Sequence, residues 1–176
     1  MCDADILEHL ALTGVAVHHR IADLAARADS MWIHIECDVL EAGLFEHARD
    51  VLPNAAEAGR ITSLDSTEAA ARRLAMTCDI VAVKAGEAGG LACRGDEVMR
   101  ASGRPLEAAD ATGAGDNFDA GFLAGRLHGL SVGDSLALAV ACGGLSTQGV
   151  GGTGVTITLA EALAAAGLGA APDRTG

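Results

Sequence analysis

The chain has 176 residues, half of them hydrophobic and 20% charged, which supplies one domain with a real core and excludes a disordered composition. Its formal net charge is −12, with a single lysine, Lys84, so neither a nucleic-acid partner nor an anionic membrane surface is expected. The aromatic residues are Trp32, Phe45, Phe118 and Phe122 alone, which leaves little to stack against bases.

Five cysteines (Cys2, Cys37, Cys78, Cys93, Cys142) are scattered and form no C-x-x-C pair. That usage predicts reduced thiols and a cytoplasmic protein. The opening MCDADILEHL is acidic and lacks the basic start of a signal peptide. No apolar run reaches membrane-spanning length, and the stretch 136–145 is short and broken by glycines.

In chain order, residues 21–28 read as a helix with Ile21, Leu24 and Ala25 on one face. Residues 31–37 (MWIHIEC) alternate and are β-rich, which predicts a strand ending at Asp38. A helix is expected around 40–48, then a short strand over 50–52 stopped by Pro53. Asp65-Ser66-Thr67-Glu68 has the look of a capping box for a helix over 67–76. Ile80–Lys84 (IVAVK) is a continuous apolar strand of the buried type. Residues 89–93 and 97–101 flank the turn Arg94-Gly95-Asp96 and read as a hairpin. Helices follow over about 115–127, stopped at Gly129, and from the Ser131 cap to about Thr147. Thr158 with Glu161 caps a last helix that Gly167 ends, and residues 170–176 read as a frayed tail. Strands alternating with helices predict an α/β layered sheet in one domain.

The densest chemistry lies in Asp110-Ala111-Thr112-Gly113-Ala114-Gly115-Asp116-Asn117-Phe118. A glycine-rich turn that opens a helix aims several backbone N–H groups at one point, where an anion can sit. An acid at the mouth of that pocket suits a base that takes a proton from an attacking hydroxyl. The plainer alternative is a tight loop entering a helix, with Asp116 as a first-turn acid favoured by the helix dipole. The apolar face that follows (Phe118, Phe122), with small residues Ala120, Gly121, Ala124 and Gly125, favours a closely packed helix.

This segment, with Ala120-Gly121-Phe122-Leu123 after it, resembles the C-terminal signature of the PfkB carbohydrate kinases, which have the ribokinase-like fold. Ala111 departs mildly from the family pattern. The resemblance implies that Asp116 is the catalytic base and that Gly113, Ala114 and Gly115 form the anion hole. It also implies that Asp110 and Thr112 help hold a monovalent cation such as K⁺, with Ser146 and Gly151 as weaker candidates. Asp110 could equally end a strand.

Two further segments match in the family's order. Pro53-Asn54-Ala55-Ala56-Glu57 resembles its N-x-x-E motif, which places Asn54 near the phosphates and Glu57 on the Mg²⁺ network. The bland alternative is the first turn of a helix with an Asn cap and a favourable Glu. Lys84-Ala85-Gly86-Glu87-Ala88-Gly89 resembles the strand–loop that lines the nucleotide site, which implies contacts from Lys84, Gly86, Glu87 and Gly89. A strand-to-hairpin turn would use the same glycines.

Competing motifs lack context. Gly149–Gly154 satisfies G-x-G-x-x-G, but a helix precedes it and the β-prone Val155-Thr156-Ile157 follows, the reverse of a dinucleotide site. Val81-Ala82-Val83-Lys84 imitates a protein-kinase motif without its H-R-D or D-F-G, and no Walker A lysine exists. His18-His19 has no partner set for zinc.

The resemblance covers roughly residues 33–163 and implies a ribokinase-like layered sheet without the family's N-terminal half and lid. The implied activity is ATP- and Mg²⁺-dependent phosphorylation of a hydroxyl on a sugar, nucleoside or similar small molecule, and a homodimer is compatible with it. A fragment, a truncated product, or a non-catalytic remnant that keeps the nucleotide-binding core would each fit. An unrelated α/β interaction domain is the remaining alternative.

Overall fold

The computed structural model describes residues 32–33, 49–103, 108–151 and 154–169. Its centre is a five-stranded sheet in the order β1-β2-β3-β4-β5. The strands are β1 (Trp32–Ile33), β2 (Asp50–Val51), β3 (Ile80–Lys84), β4 (Gly90–Arg94) and β5 (Glu97–Ala101). β1, β2 and β3 run parallel, with Asp50 opposite Ile80 and Val51 opposite Val81. β4 and β5 turn back antiparallel, so the sheet is mixed. The expected helices over 21–28 and 40–48, the rest of the strand over 31–37 and the tail lie outside the described residues.

β3 organises both layers because its side chains alternate between faces. Ile80 and Ala82 point to one side, where they meet Leu52, Ala92, Phe118, Phe122, Val132, Leu136 and Ala139. That side carries α3 (Ala114–Leu127) and α4 (Val132–Ser146). Val81 and Val83 point to the other side, with Leu91 and Cys93, against Ala58, Ala70, Ala71 and Leu74. That side carries α1 (Ala55–Thr62) and α2 (Thr67–Leu74). The last helix, α5 (Leu159–Ala165), packs Ala162 and Leu163 on Leu138 of α4.

Helix ends follow local chemistry. Ser131 caps α4 by accepting from the Asp134 N–H at 3.0 Å. Thr158 and Glu161 form the expected capping box of α5. At α2 the expectation is corrected: Ser66 alone is the cap, accepting from Ala69 N–H at 3.3 Å. The position three residues on is Ala69, which has no carboxylate to return the bond, and Glu68 turns outward to Arg72 and Arg100. Val155-Thr156-Ile157 forms no strand: Val155 lies in a bend and Thr156–Ile157 are irregular, pairing with no strand among the described residues. Among the described residues, no helix is long and apolar enough to cross a membrane.

α3 and α4 approach closely. A Cβ on Gly121 would lie 2.8 Å from Cys142 Sγ and 2.9 Å from Ala139 Cα, and one on Gly125 would lie 2.8–2.9 Å from Ser135 atoms. Gly121 and Gly125 are buried, while Ala120 is exposed and takes no part in this face. Only glycine lets the two backbones approach this closely. Gly121→Ala is therefore expected to overpack the interface, costing about 1–3 kcal/mol. A chemical-denaturation midpoint checks this, with an unchanged midpoint as the contrary result.

Candidate active site

The chemistry-bearing segments meet beyond the carboxyl ends of β2 and β3, where ligands of α/β sheets commonly bind. β2 leads through Pro53 to Asn54, which forms a parallel bridge with Lys84 at the end of β3. The Lys84 backbone N–H donates to Pro53 O at 2.9 Å. Asn54 and Glu57 form a reciprocal capping box on α1: Asn54 Oδ1 accepts from Glu57 N–H at 2.9 Å, and Glu57 Oε2 accepts from Asn54 N–H at 2.7 Å. The N-x-x-E segment is thus the helix start that the plainer reading foresaw, and Glu57 is buried.

After β3 the chain makes a short 3₁₀ turn, Gly86–Ala88, closed by Ala85 N–H donating to Gly89 O at 2.9 Å. Gly89 has φ +89°, and a Cβ there would meet Ala101 O at 2.1 Å. Its glycine is demanded first by the hairpin, as the second reading of this loop held.

α3 begins at Gly113, whose φ of +79° is the left-handed conformation that glycine tolerates best. No side chain caps this helix. Asn117 folds back instead, its N–H and Nδ2 both donating to Gly113 O at 3.0 and 2.9 Å. No side chain covers this partially positive helix start, and of its amides the Ala114 N–H donates to Ala111 O at 3.2 Å. Asp116 sits in this first turn and is exposed.

A cavity of about 600 Å³ opens here, and its walls include Lys84, Gly86, Glu87 and Gly89 with Ala114 and Gly115. Two of the anticipated segments thus share one cavity. Asn54 adjoins it through Lys84, while Gly113 and Asp116 flank Ala114 and Gly115 in the chain. Val140, Gly143 and Thr147 of the α4 region close the far wall. A second cavity of about 440 Å³ lies where β5, α4 and α5 meet. Its one charged lining residue, Arg100, is salt-bridged to Glu68, so it offers a phosphate little.

Asp110 does not end a strand. Its Oδ1 accepts from Thr112 N–H and Oγ1 at 2.9 and 2.7 Å, and its Oδ2 accepts from Gly151 N–H at 2.9 Å. Asp110, Thr112 and Gly151 are thus brought together as expected, but by direct bonds that staple two loops. Ser146 lies next in the chain to Thr147, whose carbonyl accepts from Asp110 N–H at 3.1 Å, and its own buried Oγ donates to Gly143 O at 2.8 Å within α4. Among the described residues, no three His, Cys, Asp or Glu side chains cluster to hold a metal ion. Mg²⁺ commonly binds through substrate phosphates, one or two carboxylates and waters, so such a donor set suits it only with nucleotide present.

One residue was not anticipated. Asp119, a turn beyond Asp116, accepts from Lys84 Nζ at 3.0 and 2.8 Å. The i, i+3 spacing from Asp116 was the available signal.

The bonds from Thr112 and then Gly151 hold the Asp110 carboxyl below its ordinary value of 3.8. A depressed folded value adds stability above the unfolded pKa, and that stability is lost as pH falls through the folded value. Asp110→Asn should therefore lower the thermal midpoint at neutral pH, and the difference from wild type should shrink below about pH 4. Midpoints across pH 2.5–7.5 check this, and a pH-independent difference would contradict it.

The chain matches the pfkB family carbohydrate kinases over residues 16–158. It is 28% identical over 159 residues to a fructoselysine 6-kinase of Shigella flexneri, covering 73% of this chain and 60% of that protein. Its structure superposes on a probable sugar kinase of Rhizobium etli with TM-score 0.63 and 34% identity, over 69% of this chain and 37% of that one. A Vibrio cholerae fructokinase solved with fructose, ADP and calcium matches with TM-score 0.61 and 27% identity, over 68% and 41% of the two chains. The chain thus spans about 60% of the length of the curated relative and less of the solved structures. The family match covers most of the chain and includes the Gly113–Asp116 turn: this chain belongs to the pfkB family of carbohydrate kinases.

Proposed function

We propose that this chain carries the phosphate-handling part of an ATP-dependent phosphotransferase whose acceptor is a hydroxyl of a sugar or sugar-like molecule. The observation that carries this reading is the uncapped start of α3, which opens on the 600 Å³ cavity beside Lys84 with Asp116 in the same turn. Phosphoryl transfer asks little covalent chemistry of a protein and much positioning and charge stabilisation.

In this reading the amides of Gly113–Gly115 hold the transferring group, and the partial positive charge at the helix start offsets its developing charge. Asp116 accepts the proton of the attacking hydroxyl. Lys84, Gly86, Glu87 and Gly89 line the nucleotide, and Asn54 and Glu57 support that wall from α1. Glu57 would hold Mg²⁺ through water, and the ion would neutralise part of the phosphate charge. The Asp110–Thr112–Gly151 staple keeps the loop before α3 in place and is where K⁺ would act, close to the helix start. Burial pushes the Cys78 thiol up to about 12 and also raises Cys93 and Cys142. Such thiols react slowly; with Cys78, Cys93 and Cys142 free, the proposed setting is the reducing cytoplasm.

A second reading is nucleotide binding without turnover, which would use the same cavity. The Asp116→Asn variant decides between the two. With Mg-ATP and a sugar acceptor panel, the variant should transfer phosphate about 10²–10⁴-fold more slowly, the usual worth of a general base. Its thermal stabilisation by Mg-ATP should stay unchanged. Wild-type stabilisation by Mg-ATP with no product from any acceptor would favour the second reading. An unchanged rate in the variant would remove Asp116 as the base.

A further inference from the structure

Lys84 is the chain's only lysine, and its ammonium is nearly enclosed. Its Nζ donates to both carboxylate oxygens of Asp119, and the two side chains are 14% and 10% exposed. Taking two charges out of water carries a desolvation cost, and well-packed apolar side chains often do as well for stability. What an ion pair adds is direction, because a bidentate charge-assisted contact fixes distance and orientation together.

The pair sits where three parts of the site join. Lys84 ends β3 and binds Pro53 O through its backbone, beside Asn54. Its stem passes Gly115, where an added Cβ would lie 3.7 Å from Lys84 Cδ. Asp119 lies three residues after Asp116, on the same side of α3 one turn on. From the other side, α3 is held by the packing of Phe118 and Phe122 and by the close approach of its Gly121 and Gly125 to α4. Those contacts set how near α3 lies to its neighbours, and the ion pair adds a directional contact beside its first turn.

We propose that Asp119 is a positioning residue: through Lys84 it ties α3 to the end of β3. The tie fixes the rotation of the first helical turn, so Asp116 and the Gly113–Gly115 amides keep one geometry toward the cavity. The kinetic consequence rests on the phosphotransferase reading of Asp116; the structural consequence does not.

The test compares wild type, Asp119→Asn and the double variant Lys84→Met with Asp119→Leu, all in the full chain. The double variant replaces the pair by apolar side chains of similar size and guards against simple unfolding. The measurements are amide hydrogen exchange, the thermal midpoint, and kcat and KM for ATP. In Asp119→Asn, exchange at Asn117 and Phe118 should rise about tenfold or more, while β4 and α4 stay within about twofold. The kcat should fall about tenfold or more with KM for ATP within about threefold. The double variant should regain the wild-type midpoint but neither the local protection nor kcat. A uniform rise in exchange, unchanged exchange at 117–118, or a double variant with wild-type protection would overturn the proposal. A wild type that phosphorylates no acceptor would instead count against the phosphotransferase reading, and the exchange comparison would still decide whether the pair holds the turn.

Discussion

The near-contact of α3 with α4 is the constraint on which the rest of the molecule depends. Gly121 and Gly125 remove the side chains that would otherwise hold the two helices apart. Gly143 does the same at the start of α3, where an added Cβ would lie 3.1 Å from Ala114 O. On the sheet side, Phe118 wedges against Gly90, whose own Cβ would lie 3.0 Å from the Phe118 ring and from Leu136. α3 is thus clamped between a β-strand and a helix, with no space to slide. Its first turn carries Asp116 and the amides proposed to receive phosphate, with the Lys84–Asp119 pair beside it.

The site is assembled from ordinary structural devices that serve two ends. Asn54 and Glu57 start α1 through a capping box, and the same start places Asn54 beside Lys84. Gly89 admits the hairpin past Ala101 and lines the cavity. Gly113 allows the left-handed entry to α3 and, lacking a side chain, leaves the helix start uncapped. Structural and catalytic readings of these motifs are compatible, because the turn that each motif builds is the feature that presents its polar groups. The charge balance fits this economy: one lysine, already paired, leaves backbone amides and the helix dipole to carry most of the attraction for phosphate.

Much of this was legible in the sequence. The alternation of Ile80–Lys84 with both faces buried, the Gly95 turn and the caps at Ser131 and Thr158 each rest on local chemistry, and each appears as expected. The Asp110–Phe118 segment was legible as a turn entering a helix for the same reason. Features set by distant partners were not. Asp119 was not singled out, because its partner Lys84 lies 35 residues away in the chain. Asp110 was read as a cation residue or a strand end, and neither reading foresaw Gly151 binding its second oxygen. Val155-Thr156-Ile157 has strand propensity but no neighbouring edge to pair with, so propensity loses to context. The extent of α1 was hidden because Ala55, Ala56, Ala58 and Gly59 give no apolar period to follow.

The central claim is that the start of α3 and the loop after β3 together receive the nucleotide phosphates. Titrating the ¹⁵N-labelled chain with Mg-ADP and following its amide resonances tests it most directly. The account predicts that the largest shifts fall on Gly113, Gly115 and Asp116 together with Lys84, Gly86 and Gly89. Saturable shifts confined to the cavity beside Arg100, Gly133 and Ala165, with the Gly113–Asp116 amides unmoved, would contradict it.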